Sequence, residues 1–247
     1  MNPLPVYLVI YSDPQINIAL LAGLILVIGF LGYHFLGNYI MTRAENHARQ
    51  ALTGKYKGHI LKRLIGFTLM GAMPFMLYYY LFDLSPVDYG INLKEADRSL
   101  LWVLIFIPII LGLNYYVTKK PSSQKHYPQI RLTDWNLRDL TLNFVTWTLY
   151  LLGYEMLFRG FLLFSFHDAF GPRVAIILNV VFYVLAHIPK GIREMAGSIP
   201  FGIILCLITL DTGSFFAAFL IHASMALSTE FFSIRAHPGM KIKSIRI

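Results

Sequence analysis

Very few ionisable side chains fall inside the long apolar stretches of this sequence, and those that do form a small chemical set. Glu155 and Arg159 stand four residues apart in the segment YEMLFRG. On an α-helix that spacing places both side chains on one face, one turn apart. Two histidines follow, His187 before a proline and His222 beside small residues. Because an ionisable group is costly to place in hydrocarbon, such residues are usually functional.

One carboxylate and two imidazoles from separate helices match the ligand set of a catalytic zinc, which keeps one position open for water. A divalent metal such as zinc, held by Glu155, His187 and His222, would turn that water into a nucleophile. Without a metal, a desolvated Glu155 can itself act as a general base on water. Both routes lead to hydrolysis within the bilayer.

Each of these residues also has a purely structural interpretation. Glu155 and Arg159 can form an ion pair that only neutralises itself, and an intramembrane histidine often serves as a hydrogen-bonding group in helix packing. Glu230 lies eight residues after His222 and is interpreted as an interfacial acid near the cytoplasmic end of its span, with a supporting role beside the site as the alternative. His34 is interpreted as an interfacial or packing residue.

The segments that must position these residues are long and apolar. The chain is 56% hydrophobic and 14% charged, whereas a soluble domain carries about 25% charged residues. A helix that crosses about 30 Å of hydrocarbon needs about 20 mostly apolar residues. The sequence therefore predicts an all-α polytopic membrane bundle of about seven transmembrane helices, at residues 16–40, 64–84, 99–117, 140–166, 174–188, 198–210 and 214–234. Because 174–188 and 198–210 are short, we expect each to be tilted, shielded within the bundle or only partly spanning.

Basic residues concentrate in alternate connections, as they do in the cytoplasmic loops of membrane proteins. The connections 41–63, 118–139 and 189–197 and the C-terminal tail are rich in Lys and Arg, whereas residues 1–15 and 211–213 have none. This alternation predicts an integral membrane protein with its N-terminus outside and its C-terminus in the cytoplasm, and it favours the cell (inner) membrane. The net charge of +8 is thereby explained without nucleic acid, since the basic loops lack the interleaved aromatic platforms on which bases would stack. We expect them to contact lipid of the bilayer instead.

The polar residues also form a pattern that resembles the CPBP family, the CAAX prenyl protease and bacteriocin-processing (Abi) intramembrane proteases. Members of that family carry Glu-Glu-x-x-x-Arg, Phe-x-x-x-His and His-x-x-x-Asn on helices around a cavity. Residues 154–159 read Tyr-Glu-x-x-x-Arg, residues 183–187 read Tyr-x-x-x-His and residues 222–226 read His-x-x-x-Ala. The resemblance covers roughly residues 130–235. It departs from the family at Tyr154, where the first Glu is often given the water-activating role, at Ala226 in place of Asn, and at Tyr183 in place of Phe.

The resemblance implies an intramembrane endopeptidase, in which Glu155 activates water directly or through a metal. His187 and His222 would hold the metal or stabilise the oxyanion, and Arg159 would orient Glu155 and keep it ionised. The substrate would be a peptide or protein segment that enters from the membrane or the cytoplasm. One integrated membrane domain is expected, with N-terminal helices and basic loops in residues 1–129 and the catalytic core with its basic tail in 130–247.

Two alternatives remain open. The departures at Tyr154 and Ala226 suit a non-catalytic membrane scaffold or a bacteriocin-immunity protein that binds a peptide in the same cavity. A proton-coupled transporter would also use buried Glu and His. The sequence disfavours it, because the chain has no paired Gly- or Pro-interrupted helices in matching halves.

Overall fold

The computed structural model describes residues 13–47, 51–82 and 85–243. Within these residues it contains seven helices long and apolar enough to cross a membrane. Since lipid offers no hydrogen bonds, an apolar segment must satisfy its backbone internally, and a helix does so within one segment. The predicted all-α polytopic bundle is confirmed, and the chain is an integral membrane protein.

The seven long helices follow one another along the chain. They are α1 (Pro14–His47), α2 (residues 51–82), α3 (Ala96–Val117), α4 (residues 137–170), α5 (Pro172–His187), α6 (Ile192–Thr212) and α7 (Phe216–Ala236). Both α2 and α4 contain a π-helical segment, at Thr68–Ala72 and Met156–Leu162. The connections hold 3₁₀ turns at Pro86–Tyr89 and Ile188–Lys190 and a one-turn helix at Pro121–Gln124. Two short strands, β1 (Asp134–Trp135) and β2 (Lys241–Ile242), pair in parallel.

Helix α4 lies at the centre of the bundle and α3 at its edge. In the most apolar stretch of each helix, 72% of the α4 residues are buried but only 6% of those in α3. Close packing of α2 against α4 depends on two glycines, because a Cβ on Gly71 would lie 2.7 Å from the Cα of Gly153. Small residues at such a crossing let two membrane helices approach closely. The central position of α4 puts Glu155 and Arg159 in the interior.

The structure corrects the boundaries of several predicted connections. Residues 41–47 and 51–63, predicted to belong to a loop, are helical and extend α1 and α2. Polar residues end the apolar pattern there, but no proline stops the helix. For the same reason α6 begins at Ile192 rather than at 198 and is 21 residues long, enough to span. Residues 1–12, 48–50, 83–84 and 244–247, with Arg49 and Arg246 among them, lie outside the described part, and the orientation stays a prediction.

The connection from α3 to α4 is ordered rather than extended into solvent. Ile130 and Trp135 are buried against Tyr56 of α2 and Ile234 of α7. Pairing of β1 with β2 also ties the C-terminal tail to this connection. The connection therefore closes one end of the bundle, next to the helix ends that carry the basic residues.

Candidate active site

The side chains of Glu155 on α4 and His222 on α7 are in direct contact, although they are 67 residues apart in sequence. Glu155 Oε1 lies 2.5 Å from His222 Nδ1, and the two side chains are 0% and 6% exposed. Since a carboxylate only accepts, Nδ1 carries the hydrogen and donates it. That hydrogen bond selects the tautomer in which Nε2 of a neutral His222 keeps its lone pair.

Arg159 holds the other side of the Glu155 carboxyl group. Its Nη1 lies 3.3 Å from both Oε1 and Oε2, and both side chains are fully buried. The guanidinium carbon also lies 4.2 Å from the centre of the Tyr183 ring, a favourable cation–π contact. The predicted pairing on one helix face is confirmed, and the positive charge compensates a carboxylate that would otherwise be costly to bury.

The turn that presents Arg159 is π-helical, and two neighbouring helices hold it. A π turn leaves backbone groups without their usual helical partners, which is one reason why such turns occur at functional sites. Asn179 of α5 donates its Nδ2 hydrogen to the carbonyl of Phe158 at 2.6 Å. The thiol of Cys206 on α6 in turn donates to Asn179 Oδ1 at 3.2 Å. Sequence reasoning missed Asn179, whose only signal was an amide within an apolar segment.

His187 of α5 joins the site through Tyr183 rather than by touching Glu155. Its Nδ1 lies 2.8 Å from the Tyr183 carbonyl oxygen, so Nδ1–H donates and Nε2 keeps the lone pair. The Tyr183 ring lies between the two histidines, with its centre 4.5 Å from the His187 ring and 6.2 Å from the His222 ring. The structure thus brings three of the four predicted residues, Glu155, Arg159 and His222, into contact. The fourth, His187, is separated from them by the ring of Tyr183.

A cavity of about 620 Å³ adjoins the site. His187 and His222 line it, as do Tyr154, Tyr183 and Ala226. Glu155 and Arg159 are not among the described residues that form its wall. The remaining wall comes mainly from the halves of the helices that adjoin the basic connections. The imidazole of His222 is therefore the part of the Glu155–His222 pair that faces the cavity.

The arrangement does not fit the metal site that the sequence suggested. Among the residues that the structure describes, no three His, Cys, Asp or Glu side chains are placed to hold a metal ion. The reason lies in the contacts above: the Glu155 carboxyl group is bonded to His222 and Arg159, behind the cavity wall. The predicted ligand set Glu155, His187 and His222 stays a prediction.

A second buried polar cluster contains Glu230 and corrects the assignment of Arg63 to a loop. Glu230, predicted to be an acid near the cytoplasmic end of its span, is fully buried within the protein. It accepts hydrogen bonds from the Gln129 backbone N–H at 3.0 Å and from Asn143 Nδ2 at 3.5 Å. Arg63, predicted to lie in a loop, is 4% exposed and donates to Asn143 Oδ1 at 2.6 Å and to Gln129 Oε1 at 3.2 Å. Helix α2 begins at residue 51, well before the apolar stretch that starts at residue 64. Arg63 is therefore part of the helix and lies on its buried side.

Two departures from the family motif lie at the cavity wall. Tyr154 stacks on Phe158, with ring centres 4.4 Å apart, and its hydroxyl is buried without a hydrogen-bond partner among the described residues. Ala226 leaves no polar group at the position of the motif's Asn. The site is therefore built around one carboxylate.

Comparison with known proteins supports the resemblance. Residues 136–228 match the family model described as type II CAAX prenyl endopeptidase, Rce1-like. This part of the chain is similar to the CAAX protease family. The match begins at the start of α4, ends within α7 and contains Glu155, Arg159, His187 and His222. No curated protein and no solved structure matches the chain.

The CAAX protease family is one of membrane endopeptidases. The matched segment contains the residues of the contact network around Glu155, namely Arg159, Asn179, Tyr183, His187, Cys206 and His222. Helices α1 to α3 and Glu230 lie outside the match. These outer helices nevertheless contribute part of the cavity wall, including His34, Arg63 and Asn114. What the cavity accepts therefore depends on residues on both sides of the family boundary.

Proposed function

We propose that this protein is an intramembrane endopeptidase that hydrolyses a peptide bond in the 620 Å³ cavity. The observation that carries the proposal is the carboxylate–imidazole pair of Glu155 and His222, buried among membrane helices with one face of the imidazole on the cavity. A base oriented by a buried carboxylate is the arrangement by which many hydrolases activate a nucleophile. The family match supports the reaction class.

In this proposal His222 is the general base. Its Nε2 takes a proton from a water molecule as the oxygen forms a bond to the scissile carbonyl carbon. The tetrahedral intermediate then expels the peptide nitrogen, which receives that proton from Nε2, so that one water is added across one C–N bond. Glu155 accepts the Nδ1 hydrogen bond, holds the ring and stabilises the imidazolium formed in the first step. This differs from direct water activation by Glu155, because the carboxyl group lies behind the cavity wall.

Arg159 and His187 have supporting roles. Arg159 fixes both oxygens of Glu155 and compensates its charge. His187 presents an unprotonated Nε2 to the same cavity, so this nitrogen can accept a hydrogen bond from the second O–H of the attacking water. Holding the water between two nitrogens restricts its orientation, which is a large part of the catalytic effect of positioned groups.

We further propose that the substrate is a prenylated protein or peptide of the CAAX class, as the description of the matched family states for that family. Aromatic and aliphatic residues of α1, α4 and α6, including Phe30, Trp147 and Phe201, line the cavity. They offer an apolar surface to a lipid-modified chain. The cavity lies on the side of the basic connections, which we propose is cytoplasmic. Activity of a C-terminally fused reporter enzyme that works only outside the cytoplasm would contradict this orientation.

The test is cleavage of an S-farnesylated CAAX peptide by the purified protein in phosphatidylcholine nanodiscs, followed by mass spectrometry of the products. We expect cleavage by the wild type and by His167→Gln, a partly exposed histidine away from the cavity. Glu155→Gln and His222→Gln should each reduce the rate at least 100-fold, at the lower end of the effect of a general base, about 10²–10⁴-fold. Undiminished cleavage by either variant would refute the proposal.

A second candidate function is peptide binding without catalysis, favoured by the replacement of two motif residues by Tyr154 and Ala226. The same experiment separates the two functions. A farnesylated peptide that binds the wild type but is recovered intact would support the non-catalytic function over the protease.

A further inference from the structure

A second groove lies between the ends of α3 and α7, where both helices reach the basic connections. Its volume is about 490 Å³. It shares the buried Thr118 with the wall of the larger cavity, and its other described lining residues differ from those of that wall. The matched family segment, residues 136–228, contains none of the described residues that line the groove. The chemistry proposed above therefore does not use this groove.

One part of the groove is aromatic. Tyr115 lies in the last turn of α3 and is 47% exposed. The ring of Phe232 on α7 packs edge-on against it, with ring centres 5.8 Å apart, and Phe231 lines the groove beside it. Aromatic residues at the end of a membrane helix are typical of the boundary between acyl chains and headgroups. This part of the groove therefore offers an apolar surface at the depth where a lipid's chains begin.

The other part of the groove carries two cations, Lys119 just after the end of α3 and Arg235 in the last turn of α7. Both side chains are exposed, and Lys119 Nζ lies 3.5 Å from the centre of the uncharged Tyr115 ring. Within the described residues neither cation forms an ion pair within 4.0 Å. The described lining of the groove contains no acidic side chain. An anion in the groove would therefore meet two positive charges without competition from a carboxylate.

The connection that follows α3 adds to the positive charge. Gln124 Nε2 donates to the carbonyl oxygen of Ala236 at 3.2 Å, so this connection lies against the end of α7. The only acid between residues 118 and 136 is Asp134, which lies 3.7 Å from Lys243. The same residues include three further cations, Lys120, Lys125 and Arg131. The region around the groove is therefore suited to an anionic ligand.

An anionic phospholipid matches both parts of the groove. Helix α3 lies at the edge of the bundle, and its last turn exposes Tyr116 by 69% and Val117 by 43%, so the groove is open to the surrounding lipid. Phosphatidylglycerol joins a negatively charged phosphate to acyl chains in one molecule. A zwitterionic lipid would bring a positive choline group towards the two cations, and a soluble phosphate would leave the aromatic part unfilled.

We propose that the groove binds one anionic phospholipid. Its phosphate contacts Lys119 and Arg235, and one of its acyl chains lies against Tyr115 and Phe232. The expected contact of the basic connections with lipid thereby acquires one defined site. The inference is independent of the proposed enzymatic function.

The bound lipid would bridge α3 to α7. In the most apolar stretch of α3 only 6% of the residues are buried in the protein. Asn114 of α3 donates to the Met225 carbonyl oxygen at 2.9 Å and to Ser228 Oγ at 2.8 Å, so two hydrogen bonds already join the helices near the groove. A lipid held by residues of both helices binds only when they are packed together, and it therefore stabilises that packing by mass action.

The test is lipid retention by the purified protein, measured by native mass spectrometry from micelles that hold phosphatidylglycerol and phosphatidylcholine in equal amounts. A cation near the headgroup strengthens binding of an anionic lipid about fivefold, so we expect two cations to give the wild type about a 25-fold preference for phosphatidylglycerol. Lys119→Met and Arg235→Met should each lower this preference about fivefold. The double variant should retain a preference of less than about threefold.

Lys57→Met combined with Arg138→Met is the matched control. Both cations are exposed, lie near the starts of α2 and α4 at the same end of the bundle, and are outside the groove. The control removes the same charge as the double variant and should keep the full preference for phosphatidylglycerol.

Several results would overturn the inference. A wild type that retains both lipids equally would do so without the need for any variant. A control that loses as much preference as the double variant would show that overall charge, not the groove, attracts the lipid. Displacement of phosphatidylglycerol by excess glycerol 3-phosphate would show that a soluble phosphate suffices. A dimer seen with the wild type and absent from the double variant would show that a second copy of the chain covers the groove.

Discussion

Replacement of Glu155 by glutamine tests the pairing of carboxylate and imidazole with the smallest change of shape. In the wild type, His222 Nδ1 lies 2.5 Å from Glu155 Oε1. The amide oxygen of glutamine can accept the same hydrogen bond, so we expect the orientation of the imidazole ring to be preserved. What is lost is the negative charge that stabilises the imidazolium in the transition state. Two unit charges about 4 Å apart interact by about 4 kcal/mol at an effective dielectric constant of about 20.

A loss of about 4 kcal/mol corresponds to a fall of about 10³ in kcat. KM should change little, because the charge acts on the transition state and the carboxyl group does not contact the cavity. The assay is steady-state cleavage of the farnesylated peptide over a range of concentrations. A kcat within tenfold of the wild type, or a loss confined to KM, would refute the role given to Glu155.

Stability must be controlled in the same experiment, because Glu155→Gln leaves the Arg159 guanidinium buried without its counter-ion. Breaking a buried pair in this way costs about 3–5 kcal/mol. The double variant Glu155→Gln, Arg159→Met removes both charges, so its thermal unfolding temperature should recover towards that of the wild type. Its cleavage rate should not recover. Recovery of both together would show that Glu155 acts only on folding.

Three further predictions follow from the described contacts. Tyr154→Phe should raise the unfolding free energy by about 1 kcal/mol or more, because the buried hydroxyl has no hydrogen-bond partner among the residues that the structure describes, and should leave kcat within threefold; a destabilised variant would contradict this. Gly71→Ala should lower the unfolding temperature by an amount that reflects about 1–3 kcal/mol of overpacking, since its Cβ would lie 2.7 Å from Gly153 Cα, whereas Gly112→Ala, which meets nothing within 4 Å, should not. Treatment with EDTA or 1,10-phenanthroline should leave the cleavage rate within twofold, because the described acids and histidines do not converge on a metal position; activity lost to a chelator and restored by zinc would contradict this.

Much of the fold could be predicted because membrane helices are encoded by local composition. Each of the seven predicted spans overlaps one of the seven long helices. The errors in the predicted helix boundaries occur where a segment is helical although it is not apolar. Residues 51–63 are polar enough to resemble a loop, yet they contain no helix-breaking proline and continue α2. Because these residues are helical, Arg63 lies on α2 and is buried. Its burial cannot be deduced from the sequence without knowing which face of α2 packs against α4.

The candidate site could be predicted in part for the same reason. The contact of Glu155 with Arg159 follows from a spacing of four residues on one helix. The contact of Glu155 with His222 depends on the packing of α7 against α4, which no local pattern encodes; the resemblance to a family supplied it. The burial of Glu230 and the support of the π turn by Asn179 depend equally on contacts between distant helices. The sequence signal for such residues is a polar side chain within an apolar segment. Asn143 and Asn179 both show this signal, but the sequence analysis did not single them out.

The most direct test of the account is a double-mutant cycle on the cleavage rate with Glu155→Gln, His222→Gln and the two changes combined. Residues that act as one unit show strongly non-additive losses. If the carboxylate works through the imidazole that it touches, the double variant should be no slower than His222→Gln alone, within about threefold. Losses that multiply in the double variant would mean that the two side chains act independently, and the proposed catalytic pair would be wrong.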